Sequence, residues 1–170
     1  MTGPNDSGAP DPRAPWDEIA PGLWLGGLHW SDAAGRPSPV VVGAEFDLVV
    51  SLCRAAGHGP DREVPHRVLV LPDGPLDAWQ LAAVQAMALA TAEAMAFGRR
   101  VLVRCARGDD RSGLVAAQAL LVLGLTVDEA VGLVRANRSL RALRNELFLD
   151  YLATGLDTAR LLTSLSSPTS

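Results

Sequence analysis

At 170 residues with 48% hydrophobic content, the chain suits one domain whose core is large enough to fold unaided. A formal net charge of −4 argues against general attraction to nucleic acid or anionic membrane, and all fifteen basic residues are Arg, a mark of a GC-rich genome. Two cysteines, Cys53 and Cys105, cannot build a disulfide framework; no apolar run reaches membrane-spanning length, and no secretory leader opens the chain, so a cytoplasmic protein is expected.

Residues 1–15 are rich in Pro, Gly and Asp with little to bury, and read as a disordered tail ahead of a domain over 16–165; residues 166–170 read as a second tail. A short strand is expected around Leu23 to Leu25, closing on Gly26-Gly27, with Ser31 and Asp32 as helix caps and an irregular loop from Arg36 to Pro39. Phe46 to Cys53 reads as a buried strand in which Cys53 is a small core hydrophobe, and Arg67 to Leu71 as another. Pro72-Asp73-Gly74-Pro75 is turn chemistry. The longest helix starts at Leu76 or Asp77, runs to Phe97 and stops at Gly98, with Met87 and Met95 as core filler.

After Arg99-Arg100 comes VLVRCARGDDRSG, residues 101–113, which organises the chain. Val101 to Val103 is a buried strand by its β-branched content, and LVAAQALLVLG has the length and preference of a buried helix ending at Gly124. Five residues separate Cys105 from Arg111, so the loop can curl and bring both ends onto one ligand. A loop that ends on a helix N-terminus directs backbone N–H groups and partial positive charge into its own mouth, which suits a phosphate. The same field stabilises a thiolate at Cys105. Arg111 presents a planar fork able to bind two phosphoryl oxygens, Ser112 can hydrogen-bond the sulfur, and Gly113 allows the helix to pack closely on the strand.

Downstream, Thr126 caps a helix with Asp128 and Glu129 in its first turn, and a last short helix ends near Leu165. Arg135, Arg138, Arg141 and Arg144 fall three apart and would form a drifting basic stripe on a continuous helix, either a solvated face paired with Glu146 and Asp150 or a docking patch for substrate or phosphoinositide. His29, His58 and His66 show no metal-ligand spacing.

The loop C-A-R-G-D-D-R-S-G resembles the signature H-C-x-x-G-x-x-R-S/T-G of the cysteine-dependent tyrosine and dual-specificity phosphatases, in the manner of their atypical bacterial members. Supporting segments are Leu-x-Leu-Gly at 23–26, the strand ending at Cys53, and the stretch from Val134-Arg135 through Asn145 to Phe148. The resemblance covers about residues 16–153. It implies a single α/β domain with a central mixed β-sheet of four to five strands flanked by helices, the signature loop lying between a strand and a helix. It further implies a metal-independent phosphatase that needs no cofactor. Phosphotyrosine or phosphoserine/threonine monoesters, most simply on a phosphorylated protein, would be hydrolysed through a phosphocysteine intermediate.

By resemblance Cys105 is the nucleophile, Arg111 binds the phosphoryl oxygens together with Ala106, Arg107, Gly108, Asp109 and Asp110, and Ser112 aids breakdown of the intermediate. The general acid falls on Asp73, with Asp77 in reserve; otherwise Asp73 makes a turn and Asp77 caps the helix. In some relatives a cysteine placed like Cys53 forms a protective disulfide with the nucleophile. Two departures stand out: Arg104 replaces the signature His, and Asp109 and Asp110 put carboxylates beside a phosphate dianion, which opposes binding unless they turn outward or pair with Arg107. The alternatives are a phosphatase-like module that binds phosphorylated ligands with impaired turnover, a phosphatase of phosphoinositides or RNA 5′-phosphates, and a rhodanese-type loop with acidic residues. Neither nucleic acid nor membrane insertion is expected.

Overall fold

The computed structural model describes residues 15–166, so the tails expected at 1–15 and 166–170 lie outside the described residues except for Pro15 and Ser166. Five strands form one sheet: β1 (Trp16–Ala20), β2 (Leu23–Gly26), β5 (Leu48–Ser51), β6 (His66–Val68) and β7 (Val101–Arg104), in the order β1-β2-β7-β5-β6. Only β1 runs antiparallel to its neighbour; β2, β7, β5 and β6 are parallel, so their C-terminal ends share one edge. In open α/β sheets that edge is where ligands bind. The sheet is mixed and flanked by helices, as expected.

Side chains alternate across the sheet. Val101 and Val103 join Leu23, Leu25, Val50 and Leu52 in the main core, packed against the helices α1 (Ala78–Ala96), α2 (Asp110–Val122), α3 (Val127–Asn137), α4 (Glu146–Thr154) and α5 (Leu156–Ser166). Leu102 and Val49 point the other way, into a smaller cluster with Val42 and Phe46 that Trp16 and Trp24 cover edge-on. Burial on both faces explains why β5 and β7 are continuous apolar runs rather than alternating ones.

The helix boundaries follow their caps. Asp77 closes a capping box with Gln80 at the start of α1, and Thr126 does the same with Glu129 at α3. After α1 the chain passes through Gly98 in the left-handed region, at φ 73°. Asp77 is thus the helix cap, and Tyr151 Oη accepts the N–H of the preceding Leu76.

Three expectations need correction. No helix follows Trp30: β3 (His29–Ser31) and β4 (Pro37–Pro39) form a hairpin. Asp32 does cap, but it caps a turn, since its Oδ1 accepts the N–H groups of both Ala34 and Arg36 while Gly35 adopts φ 75°. Second, the strand expected over Arg67–Leu71 covers only His66–Val68 and is exposed, while a further, antiparallel strand, Trp16–Ala20, begins the sheet. Third, the four arginines from 135 to 144 do not share a helix, because α3 ends at Asn137 and α4 starts at Glu146.

Candidate active site

The segment after β7 turns over the C-terminal edge of the sheet, and two glycines at the end of β2 make room for it. Gly26 O accepts the Cys105 N–H, and Leu28 N–H donates to Ala106 O. A Cβ on Gly27 would lie 3.0 Å from the carbonyl oxygens of Ala106 and Arg107. Gly108, at φ 75°, is tighter still: a Cβ there would fall 2.5 Å from the Gly26 backbone and 2.7 Å from Arg138 Nη2. The loop can take this path only with glycine at 108.

Cys105 is buried, and its sulfur is held from two sides: the Gly108 N–H donates to Sγ at 3.2 Å, and Ser112 Oγ lies 3.3 Å away. Helix α2 begins at once. Its N-cap, Asp109, makes no side-chain cap bond, unlike Asp77, Thr126 and Asn145 at α1, α3 and α4, so the first-turn N–H groups of α2 receive no acceptor from that carboxylate. Arg111 Nη1 donates to Leu71 O at 3.1 Å, which lays the guanidinium against the segment leading to Asp73. Asp73, Cys105, Ala106, Arg107, Asp109, Asp110, Arg111, Arg141 and Arg144 line one cavity of about 430 Å³. The structure therefore gathers the sequence-predicted loop residues and Asp73 into one pocket, while Asp77 is engaged as a helix cap. Gly108 and Ser112 are buried beneath it.

Arg138 braces the loop from behind. Its Nε donates to Gly108 O and its Nη2 to Arg107 O, at 3.2 and 3.1 Å, and its Nη1 pairs with Asp17 Oδ2 at 2.7 Å with almost no exposure. With those two carbonyls held by Arg138, the Gly108 N–H is turned to the Cys105 sulfur. Arg135 does similar work at the α3–α4 connection, donating to Ala142 O and Leu143 O. The solvated-stripe reading is thus overturned for Arg135 and Arg138: Arg135 donates to backbone carbonyls, and Arg138 to two carbonyls and the Asp17 carboxylate.

Arg104 does not enter the pocket. It is fully buried, with Nε on Ser51 Oγ at 2.8 Å and its two remaining nitrogens on the carbonyls of His58 and Gly59 at 2.7 and 2.5 Å. Burial lowers its pKa, and Cys53 opposes that shift. Ser51 Oγ, which accepts from Arg104, also shares a hydrogen bond with His66 Nε2, 2.7 Å away. Burial and the Arg104 charge hold His66 below its ordinary pKa.

The two loop carboxylates take different roles. Asp110 Oδ1 accepts the Asn145 N–H at 3.0 Å. Burial pushes the Asp109 carboxyl above its ordinary range; Arg138 opposes the shift and Asp110 adds to it. Among the described residues neither forms an ion pair with Arg107. Gly113 packs not on the strand but on Leu143, whose Cγ would lie 2.9 Å from a Cβ there. Cys53 is buried with Leu28 and Ala55, and both cysteines are free.

Asn145 escaped the sequence reading as a site residue. Its Nδ2 donates to Asp73 Oδ1 at 3.2 Å, its backbone N–H goes to Asp110, and its Oδ1 caps α4 by accepting the Leu147 N–H. The local signal was present in the Asn-Glu pair ahead of an apolar run, which marks a cap.

Among the described residues no group of three or more His, Cys, Asp or Glu could hold a metal ion, and no helix is long and apolar enough to cross a membrane.

Comparison with solved structures places this architecture. Human DUSP28 superposes with a TM-score of 0.67 at 24% identity, covering 89% of this chain and 99% of its own. The fold is that of the dual-specificity phosphatases. A mouse protein described as a dual-specificity phosphatase, complexed with zinc tungstate, gives 0.61 at 24% identity over 86% of this chain and 91% of its own. PTPMT1 in complex with PI(5)P gives 0.56 at 16% identity over 87% and 99%. No protein-family model and no curated protein sequence matches the chain.

Proposed function

We propose that this chain is a phosphomonoester hydrolase of the dual-specificity type, acting on phosphorylated protein through a phosphocysteine intermediate. The observation that carries the reading is the seat of Cys105: a sulfur held by the Gly108 N–H and by Ser112, in a cavity that also contains Arg111 and Asp73. The Cys105 thiolate attacks phosphorus while the substrate oxygen departs with a proton from Asp73. Water, deprotonated by the Asp73 carboxylate, then attacks the phosphocysteine, releasing inorganic phosphate and restoring the thiolate. Arg111 and the loop amides stabilise the equatorial oxygens in both steps. The tungstate bound by the mouse neighbour, an oxyanion of phosphate-like shape, agrees with such a cradle.

Hydrolysis of a small aryl phosphate in the presence of a chelator tests this directly. The native chain is expected to turn over, and Cys105→Ser to lose at least about a thousandfold in rate. Equal rates for the two proteins would remove the proposal.

One observation favours a second reading, a module that binds phosphorylated ligands with little turnover. Asp109 and Asp110 line the same cavity as Cys105 and would repel a dianion. Native protein that binds a phosphopeptide but is as slow as Cys105→Ser on aryl phosphate selects that reading.

A further inference from the structure

The sheet ends in two edges of different character. At β1 the register shifts between Glu18 and Ala20, Asp17 and Glu18 are charged, and Asn137 Nδ2 donates to Ile19 O, so that edge is closed to further pairing. The edge at β6 carries none of these devices. Pro65 O accepts the Val49 N–H, and the N–H groups of Leu69 and Leu71 donate to Ser51 O and Leu52 O, so the odd-numbered residues turn their backbone groups to β5. Those of His66, Val68 and Val70 therefore point away from the sheet, and among the described residues no strand lies beyond them. Val68 and Val70 are each 51% exposed, and Pro65 and Pro72 bound the open stretch.

Helix α1 returns antiparallel to β6 and leaves a matching feature alongside it. Pro65 and Arg67 share a depression of about 320 Å³ with Ala90, Glu93 and Phe97. Trp79, Ala83, Ala90 and Phe97 fall within about 40° of one another around the helix. The stripe is small at its centre and aromatic at its ends, where Trp79 is 70% and Phe97 82% exposed. From the shared depression to Leu69 is about 10 Å of strand, equivalent to roughly six or seven residues of helix, which sets Leu69 beside Met87 and Ala88. That is the midpoint between Trp79 and Phe97. A single two-fold axis at this level relates the strand edge to itself and Trp79 to Phe97.

From this coincidence we infer that β6 and α1 form a two-fold interface with a second copy of this chain. The two β6 strands pair antiparallel about Leu69, so that two five-stranded sheets become one. Val68 stands opposite Val70 of the second copy, and the two exchange the N–H···O bonds that each open edge lacks. Trp79 of each copy packs on Phe97 of the other, and Ala83 and Ala90 let the helices approach closely. The charges agree with this register. Arg67 falls opposite Leu71 and roughly 13 Å from Arg67 of the second copy, while Glu93 falls opposite Ala83 and roughly 15 Å from its counterpart, so no like charges meet within a Debye length. Asp73 of the second copy follows one pleat beyond Leu71 and offers Arg67 an opposite charge; among the described residues Arg67 has no ion pair of its own. An unrelated extended peptide could pair with the edge, but it would leave the aromatic stripe uncovered.

Sedimentation of the full chain tests this. At about 100 µM its mass should be twice 17.9 kDa. Val68→Pro removes only an outward N–H, a change that an edge strand tolerates, and should weaken association by at least about thirtyfold. Trp79→Glu/Phe97→Glu should do the same from the helix side, since it sets carboxylates against each other. Where Val68→Pro fails to fold, judged by its urea midpoint, Val68→Lys/Val70→Lys takes its place. Hydrogen exchange supplies an independent reading: the Val68 and Val70 amides should be protected in the native protein and open in Trp79→Glu/Phe97→Glu, while the Leu69 amide, bonded to Ser51 O, stays protected in both. A native protein that sediments as a single chain overturns the inference. So does a dimer that persists in these variants, a dimer whose Val68 and Val70 amides exchange freely, or a species that grows past two copies, since two-fold pairing closes. None of these readings depends on turnover at Cys105.

Discussion

Asn145 donates its side-chain N–H to Asp73 Oδ1 at 3.2 Å, across 72 positions of sequence. The carbonyl oxygen of a carboxylic acid accepts better than its hydroxyl oxygen, so in the proposed reaction this bond favours placing the acid's proton on Oδ2. Asn145 is in turn fixed by Asp110 and by its own cap of α4. Asn145→Ala should therefore act through the acid. On alkyl or phosphotyrosine substrates its rate should drop about tenfold, while a substrate with a strongly acidic phenol leaving group should lose less than twofold. A uniform loss across leaving groups would separate Asn145 from proton transfer.

Asp109 contributes a pH dependence of its own. Its folded-state pKa lies above the unfolded value through burial, so the folded chain holds the proton more tightly. Stability from this group is full below the unfolded pKa and declines as pH rises through the folded one. Asp109→Asn should lift the urea midpoint more at pH 7.5 than at pH 4. It should also tighten binding of inorganic phosphate a few-fold at pH 7.5, since a carboxylate has left the cavity. Phosphate binding that weakens in Asp109→Asn would mean that the carboxylate helps to hold the loop.

Arg138 is the loop's support and one partner of a buried ion pair. Removing one side of such a pair costs about 3–5 kcal/mol. Arg138→Met should be destabilised by that amount in urea unfolding, and Asp17→Asn by less, because Arg138 keeps its bonds to Gly108 O and Arg107 O. The two substitutions together should cost clearly less than their sum.

Arg104→His would install the histidine of the signature that the loop resembles, yet it should not raise activity. An imidazole cannot reach Ser51 and the carbonyls of His58 and Gly59 together, so buried acceptors lose their donors at a cost of about 2–4 kcal/mol. At a temperature where the variant remains folded, its rate on aryl phosphate should stay within a few-fold of native. A large gain in rate would show that position 104 acts on the thiolate.

What could be read from the sequence was what local chemistry decides. Apolar runs at Leu48–Ser51 and Val101–Arg104, the caps Asp77 and Thr126, and the spacing of Cys105 and Arg111 each depend on near neighbours, and each appears where expected. The destination of Arg104, the hairpin at His29–Pro39 and the bridge through Asn145 depend on groups far away in the chain. Arg104 is satisfied by carbonyls some 45 positions upstream, and no period or spacing announces such a bond. The arginine series misled for the opposite reason: its regular spacing suggested one helix, while the connection is held open by the burial of Ala142 and Leu143 between two helix ends.

The alternation along β7 has a consequence for folding. Val101, Val103 and then Cys105 face the helices, while Leu102 and Arg104 face the smaller cluster and the 58–59 turn. Nucleophile and buried cation are adjacent in the chain but separated by the sheet. A slip of β7 by one residue against β2 and β5 would drive the guanidinium into the apolar helical core and strand the thiol on the opposite side. The costly burial of Arg104 thus serves as a register lock, admitting only the pairing that delivers Cys105 to its loop.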